Sequence, residues 1–154
     1  MHIRDILAKR RPSFSFEFSP PRSPRAWEEL YATIVELEPL EPSFVSVTYG
    51  AGGTTREATH DLVVRIRQTT AIPPVPHLTC VGHTEEEIDT ILQRYAEAGV
   101  SNILALRGDP PRDRPDYDWS DSEFRHAADL VRFIHRFNES GRHPDPRGFG
   151  IGVA

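Results

Sequence analysis

The sequence contains one cysteine, Cys80, and one lysine, Lys9. A single thiol excludes an intramolecular disulfide and an all-cysteine metal site, and a reducing, cytoplasmic compartment is the simpler setting. A single lysine, placed ahead of the first expected strand, leaves no obvious Schiff-base nucleophile and counts against an aldolase-type reaction. No apolar run approaches the roughly 18 residues of a membrane span, and residues 1–12 carry charge throughout instead of a secretion signal's apolar stretch. No membrane partner is expected. Positive charge is not in excess: 18 basic residues against 23 acidic ones give a formal charge of -5. Nucleic acid is therefore not an expected partner, although a local patch could still hold a phosphorylated ligand. His60, His77 and His83 are scattered, without HExxH or a carboxylate cluster, so no metal is expected.

What is present suits a folded domain. The 154 residues are 38% hydrophobic and 27% charged, enough for one core and too apolar for wholesale disorder. Residues 13–18, SFSFEF, alternate small or polar positions with Phe14, Phe16 and Phe18, as a strand with one apolar face does. Glu17 falls on its polar side. Pro20 and Pro21 stop that strand. Ser23 and Pro24 then cap and start a helix in which Trp27, Leu30, Ile34 and Leu37 recur at helical spacing, and Pro39 and Pro42 end it. A second strand over 44–50, FVSVTYG, leads through AGGTT into a helix over about 55–69. A third strand over 75–80 precedes a helix begun by the capping box of Thr84 and Glu87, with Gly99 as its C-terminal cap. A fourth strand over 103–109 leads into a long polar loop, PPRDRPDYDW. A helix follows over about 122–138, with Phe124, Ala128, Val131, Ile134 and His135 on its packed side, and 148–154 reads as a fifth strand.

The first four strands are spaced by roughly 30 residues, the size of a strand–helix–strand unit with a right-handed crossover. The fold class is α/β. No GxGxxG follows the first strand, and each of the first four strands ends in polar residues, which favours a TIM barrel over an open doubly wound sheet. An eight-stranded barrel needs about 250 residues. The expectation is therefore a truncated half: about four βα units plus a fifth strand of a (β/α)8 parent, with open edges.

Active-site groups of such barrels collect at the C-terminal strand ends. Here the candidates are Glu17, Thr48 with Tyr49, His77 with Thr79, and Arg107 with Asp109. Glu17, between two phenylalanines, is expected in low-polarity surroundings that favour its protonated form, as suits a proton donor; a structural acid paired with an arginine remains the alternative. His77 could be a wall residue or a ligand contact. Arg107 could hold an anion, and Arg107 and Asp109 could equally form a turn salt bridge. Gly50, Gly52 and Gly53 allow close backbone approach to a ligand, or simply a tight connection.

Four strings, FEFSPPR at 16–22, FVSVTYGAGG at 44–53, PHLTC at 76–80 and LALRGDPP at 104–111, closely resemble the N-terminal half of bacterial methylenetetrahydrofolate reductases, in wording and in order. The resemblance runs from about Ser13 to Asp113 and more loosely to Ala154. It implies a flavin-binding reductase barrel of which residues 1–154 are the N-terminal half. Its members reduce 5,10-methylenetetrahydrofolate to 5-methyltetrahydrofolate through FAD, with NADH or NADPH as donor, in one-carbon metabolism and methionine synthesis. Folate and nicotinamide small molecules are the implied partners, with a homo-oligomer as the full-length form.

Residue by residue, the resemblance puts the family's catalytic acid on Glu17, which would protonate the folate and open its five-membered ring. It puts the family's aspartate on Asp109, near both flavin and pterin. Glu17 and Asp109 are thus the implied catalytic and substrate-binding pair. Thr48, His77, Leu106, Arg107, Gly108 and Asp109 are the implied cofactor contacts, with Tyr49 as pocket wall. One departure is Ser19, where many relatives carry phenylalanine. The competing readings are a non-catalytic fragment or assembly module, and another TIM-barrel enzyme using the same carboxylates.

Overall fold

Helix capping and alternating apolar positions set most element boundaries. The computed structural model describes residues 1–9, 11–50, 55–110 and 116–154. Among them the order is α1 (Ile3–Lys9), β1 (Ser15–Phe18), α2 (Pro24–Leu37), β2 (Phe44–Val47), α3 (Arg56–Thr69), β3 (Pro74–Thr79), α4 (Glu85–Glu97), β4 (Asn102–Leu106), α5 (Ala127–Glu139) and β5 (Gly150–Val153). Ser23 Oγ accepts from the amide of Ala26 at 3.3 Å and opens α2, with proline in its first turn. At α4 the reciprocal box is present: Thr84 Oγ1 accepts from the Glu87 amide at 3.2 Å, and Glu87 Oε2 accepts from the Thr84 amide at 3.0 Å. Gly99, at φ +72, follows its last turn.

The strands form one parallel sheet in the order β1-β2-β3-β4-β5. The expected α/β class is matched: each strand lies beside its neighbour in sequence, without the reversal that marks a doubly wound sheet, an order consistent with part of a barrel wall. Side chains alternate between its two faces. Val45, Val47, Leu78, Cys80, Ile103 and Ala105 are fully buried on one face. They share a core with Ile34 of α2, Leu62, Val63 and Ile66 of α3, Ile88, Leu92 and Tyr95 of α4, and Leu130, Ile134 and Phe137 of α5. The register Glu17↔Ser46 and His77↔Leu104 puts these four on the opposite face, the one away from the helices.

Strands β2 and β4 end at Val47 and Leu106, three residues short of expectation, and two helical segments differ further. Helix α5 begins at Ala127, five residues later than the sequence pattern indicates. The Asp129 carboxylate accepts from the amides of Arg125 and His126 and anchors the first turn there. Its buried stripe is Leu130, Phe133, Ile134 and Phe137, whereas Ala128 and His135 are exposed. Phe124 is buried but precedes the helix, edge-on to Phe133 at 5.6 Å. Helix α1 was not expected from the pattern. It is held by distant residues: the Ile3 amide donates to Asn102 Oδ1 at 2.6 Å, Asn102 Nδ2 donates to the Met1 carbonyl at 2.9 Å, and Arg147 pairs with Asp5 at 2.8 Å.

Candidate functional site at the strand ends

The open face of the sheet is polar toward the C-terminal ends of β1 to β3. Glu17 Oε2 accepts a hydrogen bond from Ser46 Oγ at 3.0 Å. His77 Nε2 lies 3.2 Å from the same oxygen, yet this nitrogen is a buried polar atom without a hydrogen-bond partner. The approach is close enough for electrostatic attraction without a hydrogen bond. Burial pushes the His77 pKa down, and the Glu17 carboxylate pulls it the other way. The imidazole is therefore neutral near pH 7.

Glu17 itself departs from expectation. Its side chain is 57% exposed, and its neighbours are a hydroxyl and an imidazole instead of an apolar enclosure. The physical reason is that the flanking Phe16 and Phe18 alternate to the other face of the sheet and so cannot enclose it.

Beyond Glu17, the strand ends are tied together by short polar contacts. Thr48 Oγ1 donates to Ser19 Oγ at 2.9 Å, and the Thr48 carbonyl accepts from Thr59 Oγ1 at 3.0 Å, joining β2 to the first turns of α3. The departure at Ser19 thus supplies a hydroxyl partner where a phenylalanine could not. Thr79 is buried and its Oγ1 has no hydrogen-bond partner.

At the end of β4 the carbonyls of Leu106 and Arg107 accept from the amides of Cys80 and Val81 at 3.1 and 3.0 Å, carrying the pairing past both strands. Gly108 follows at φ +83, where a Cβ would stand 2.7 Å from Val81 Cγ1 and 2.8 Å from Thr79 Cβ. Glycine is required there both for conformation and for space. The Arg107 guanidinium lies 4.6 Å over the Trp119 ring, and among the described residues it forms no ion pair, so the turn salt bridge with Asp109 is not found. Arg107 and Asp109 are exposed, and Leu106 is half-buried.

Next to these residues is a cluster that sequence reasoning missed. Tyr49 Oη lies 3.2 Å from His83 Nε2, Arg56 Nη2 contacts His83 Nδ1, and Arg56 Nη2 donates to Glu87 Oε1 at 3.2 Å. Because arginine can only donate, His83 Nδ1 accepts and the ring proton sits on Nε2, shared with Tyr49. Burial and the Arg56 charge hold the His83 pKa down against Glu87, and burial raises that of Tyr49. The hydroxyl of Tyr49, expected on a pocket wall, is thus turned to this cluster. The available sequence signal was His83 standing immediately before the Thr84 cap.

Gly50 donates its amide to Thr55 Oγ1 at 2.7 Å. Gly52 and Gly53 lie outside the described residues, as does 111–115 of the polar loop. Among the described residues no group of three or more histidine, cysteine, aspartate or glutamate side chains could hold a metal, and no helix is long and apolar enough to cross a membrane.

Residues 2–154 match the family model described as methylenetetrahydrofolate reductase. The 5,10-methylenetetrahydrofolate reductase of Pectobacterium carotovorum subsp. carotovorum is 41% identical over 126 residues, 80% of this chain and 40% of that protein. The 5,10-methylenetetrahydrofolate reductase of Escherichia coli K12 is 44% identical over 120 residues, 78% of this chain and 38% of that protein. Methylenetetrahydrofolate reductase 1 of Schizosaccharomyces pombe is 41% identical over 162 residues, covering 100% of this chain and 25% of that protein. The chain spans less than half the length of each of these curated relatives.

Proposed function

The chain belongs to the methylenetetrahydrofolate reductase family, and on that premise we propose that it is the N-terminal half of a (β/α)8 barrel reducing 5,10-methylenetetrahydrofolate to 5-methyltetrahydrofolate. FAD, when bound, would supply the hydride and would regain it from NADH or NADPH. The proposal extends to a cytoplasmic homo-oligomer as the full-length form.

The observation that carries the reading is the strand-end arrangement. The Glu17 carboxylate, His77 Nε2 and Thr79 Oγ1 lie at the ends of β1 and β3, the last two buried and lacking hydrogen-bond partners. Such orphaned polar atoms beside an open face suit a flat ligand with hydrogen-bonding edges. Thr48, His77, Leu106, Arg107, Gly108 and Asp109 would hold the flavin. Gly108, which leaves room for Thr79 and Val81, sets the turn that would bring the backbone of this segment to the ligand. Glu17 would hold a proton and pass it to the folate as the five-membered ring opens. Asp109, exposed beyond the turn, would keep a negative charge near the cationic folate that results.

Anaerobic stopped-flow spectroscopy of the full-length protein tests this. Bound flavin should be reduced by NADH or NADPH and reoxidised by methylenetetrahydrofolate. Reduction without reoxidation would leave a flavoprotein and remove the folate assignment.

A second reading is favoured by the open sheet edges, where Phe14 is 67% and Val153 65% exposed. On that reading residues 1–154 act as an assembly module for a separate complementary half. Mass measurement with and without that half, together with recovery of flavin binding, distinguishes the two.

A further inference from the structure

The residues assigned above leave one question of geometry: which oxygen of Glu17 carries the proton. Oε2 accepts from the Ser46 hydroxyl at 3.0 Å and faces His77 Nε2 at 3.2 Å without a hydrogen bond between the two. Among the described residues no hydrogen bond or ion pair reaches Oε1. Ser46 is directly beside Glu17 in the strand register and is only 9% exposed. A buried serine hydroxyl costs stability unless it is hydrogen-bonded, and among the described residues its bond to Glu17 is the only one it makes.

We propose, resting on the reading of Glu17 as the folate-protonating acid, that Ser46 is a positioning residue for that acid: its O–H holds Oε2 as acceptor and leaves Oε1 as the oxygen that delivers the proton. A protonated carboxyl has one donor oxygen and one acceptor oxygen. With a hydroxyl donating into Oε2, the proton is left to Oε1. In the step itself the Oε1–H bond breaks, an N–H bond forms on the folate ring, and the electron pair of the broken bond stays on the carboxylate. The bond from Ser46 then meets an anion, and hydrogen bonds to ionised acceptors are shorter and about twice as strong as neutral ones. Ser46 thus stabilises the product of proton transfer more than the reactant. Such a differential interaction speeds the folate step. Reduction of the flavin by nicotinamide uses no proton from Glu17, so that step sets the internal reference.

The test uses the flavin-loaded full-length enzyme and both half-reactions. Ser46→Ala removes the hydroxyl and adds no bulk, and is expected to slow the folate step by roughly tenfold relative to the nicotinamide step, the scale of one hydrogen bond to a charged acceptor. Ser46→Thr keeps the hydroxyl and should restore most of the ratio. In a Glu17→Gln background Ser46→Ala should add nothing. Independently of turnover, the infrared carboxyl band that disappears in Glu17→Gln should move in Ser46→Ala.

The inference is overturned if both half-reactions fall together, if neither changes, if threonine fails to rescue, or if the infrared band stays in place. A Glu17→Gln enzyme with an unimpaired folate step would instead sink the underlying assignment of the acid. The two failures are therefore separable.

Discussion

Replacing Gly108 by alanine tests the close approach at the end of β4 most directly. Two costs are added at that position. At φ +83 a Cβ meets its own backbone, and the left-handed region disfavours an L-residue by about 1–2 kcal/mol. The new methyl would also stand 2.7 Å from Val81 Cγ1 and 2.8 Å from Thr79 Cβ. Both neighbours are buried, at 1% and 5% exposure, so neither can swing away, and overpacking of this kind costs about 1–3 kcal/mol. Together about 2–5 kcal/mol is expected, a large part of the roughly 5–15 kcal/mol that separates folded from unfolded domains. Gly82 is the matched control: its φ is +69 and nothing lies within 4 Å of a built Cβ. Gly82→Ala should therefore lose only the backbone part. Urea unfolding of the full-length protein, followed by circular dichroism, should show Gly108→Ala lowering the midpoint two to three times as far as Gly82→Ala. Equal shifts for the two variants would refute the claim that packing against Thr79 and Val81 requires glycine.

Three further outcomes are expected. His60, His77 and His83 each have a pKa held below the ordinary value by burial. The unfolded chain therefore takes up protons first as pH falls through about 6.5, so stability is full above that pH and declines from there toward the lower folded-state values. Urea midpoints at pH 7.5, 6.5 and 5.5 should fall in that order, and His83→Gln should flatten the decline. Cys80 is fully buried and its thiol is pushed up to about 11 by burial. A disulfide reagent at pH 8 should modify it only as fast as the protein opens, and rapid labelling of the folded protein would contradict this. Thr84→Ala removes one half of the capping box of α4 and should cost about 1 kcal/mol, read as a shift in the same urea curves.

Local chemistry was legible where a local rule decides. Ser23 with Pro24, and Thr84 with Glu87, mark helix starts through contacts spanning three residues, and both caps form as their spacing indicates. Alternation in SFSFEF marked the first strand, and the repeating strand–helix pattern marked those that follow. Parallel order followed from the repeat length. What escaped depends on residues far apart. Helix α1 has a single buried residue, Ile6, and is docked through Asn102, which no pattern within IRDILAK announces. The expected start of α5 includes Phe124 because an apolar residue at that spacing suits a helix face, whereas Phe124 is buried from the segment ahead of the helix. The exposure of Glu17 could not be read from its phenylalanine neighbours, since alternation sends them to the other face and its surroundings come from β2 and β3. The His83 cluster joins Tyr49, Arg56 and Glu87 from three separate stretches, so only folding brings it into view.

The anchoring of α1 on Asn102 also sets a timetable for synthesis. Helix α1 is fastened to the fourth strand and, through Arg147, to the approach to the fifth, both synthesised long after it. A ribosome adding about 5–20 residues per second leaves α1 without its mooring for on the order of ten seconds. During that interval Ile6 lacks the contacts that bury it in the finished fold.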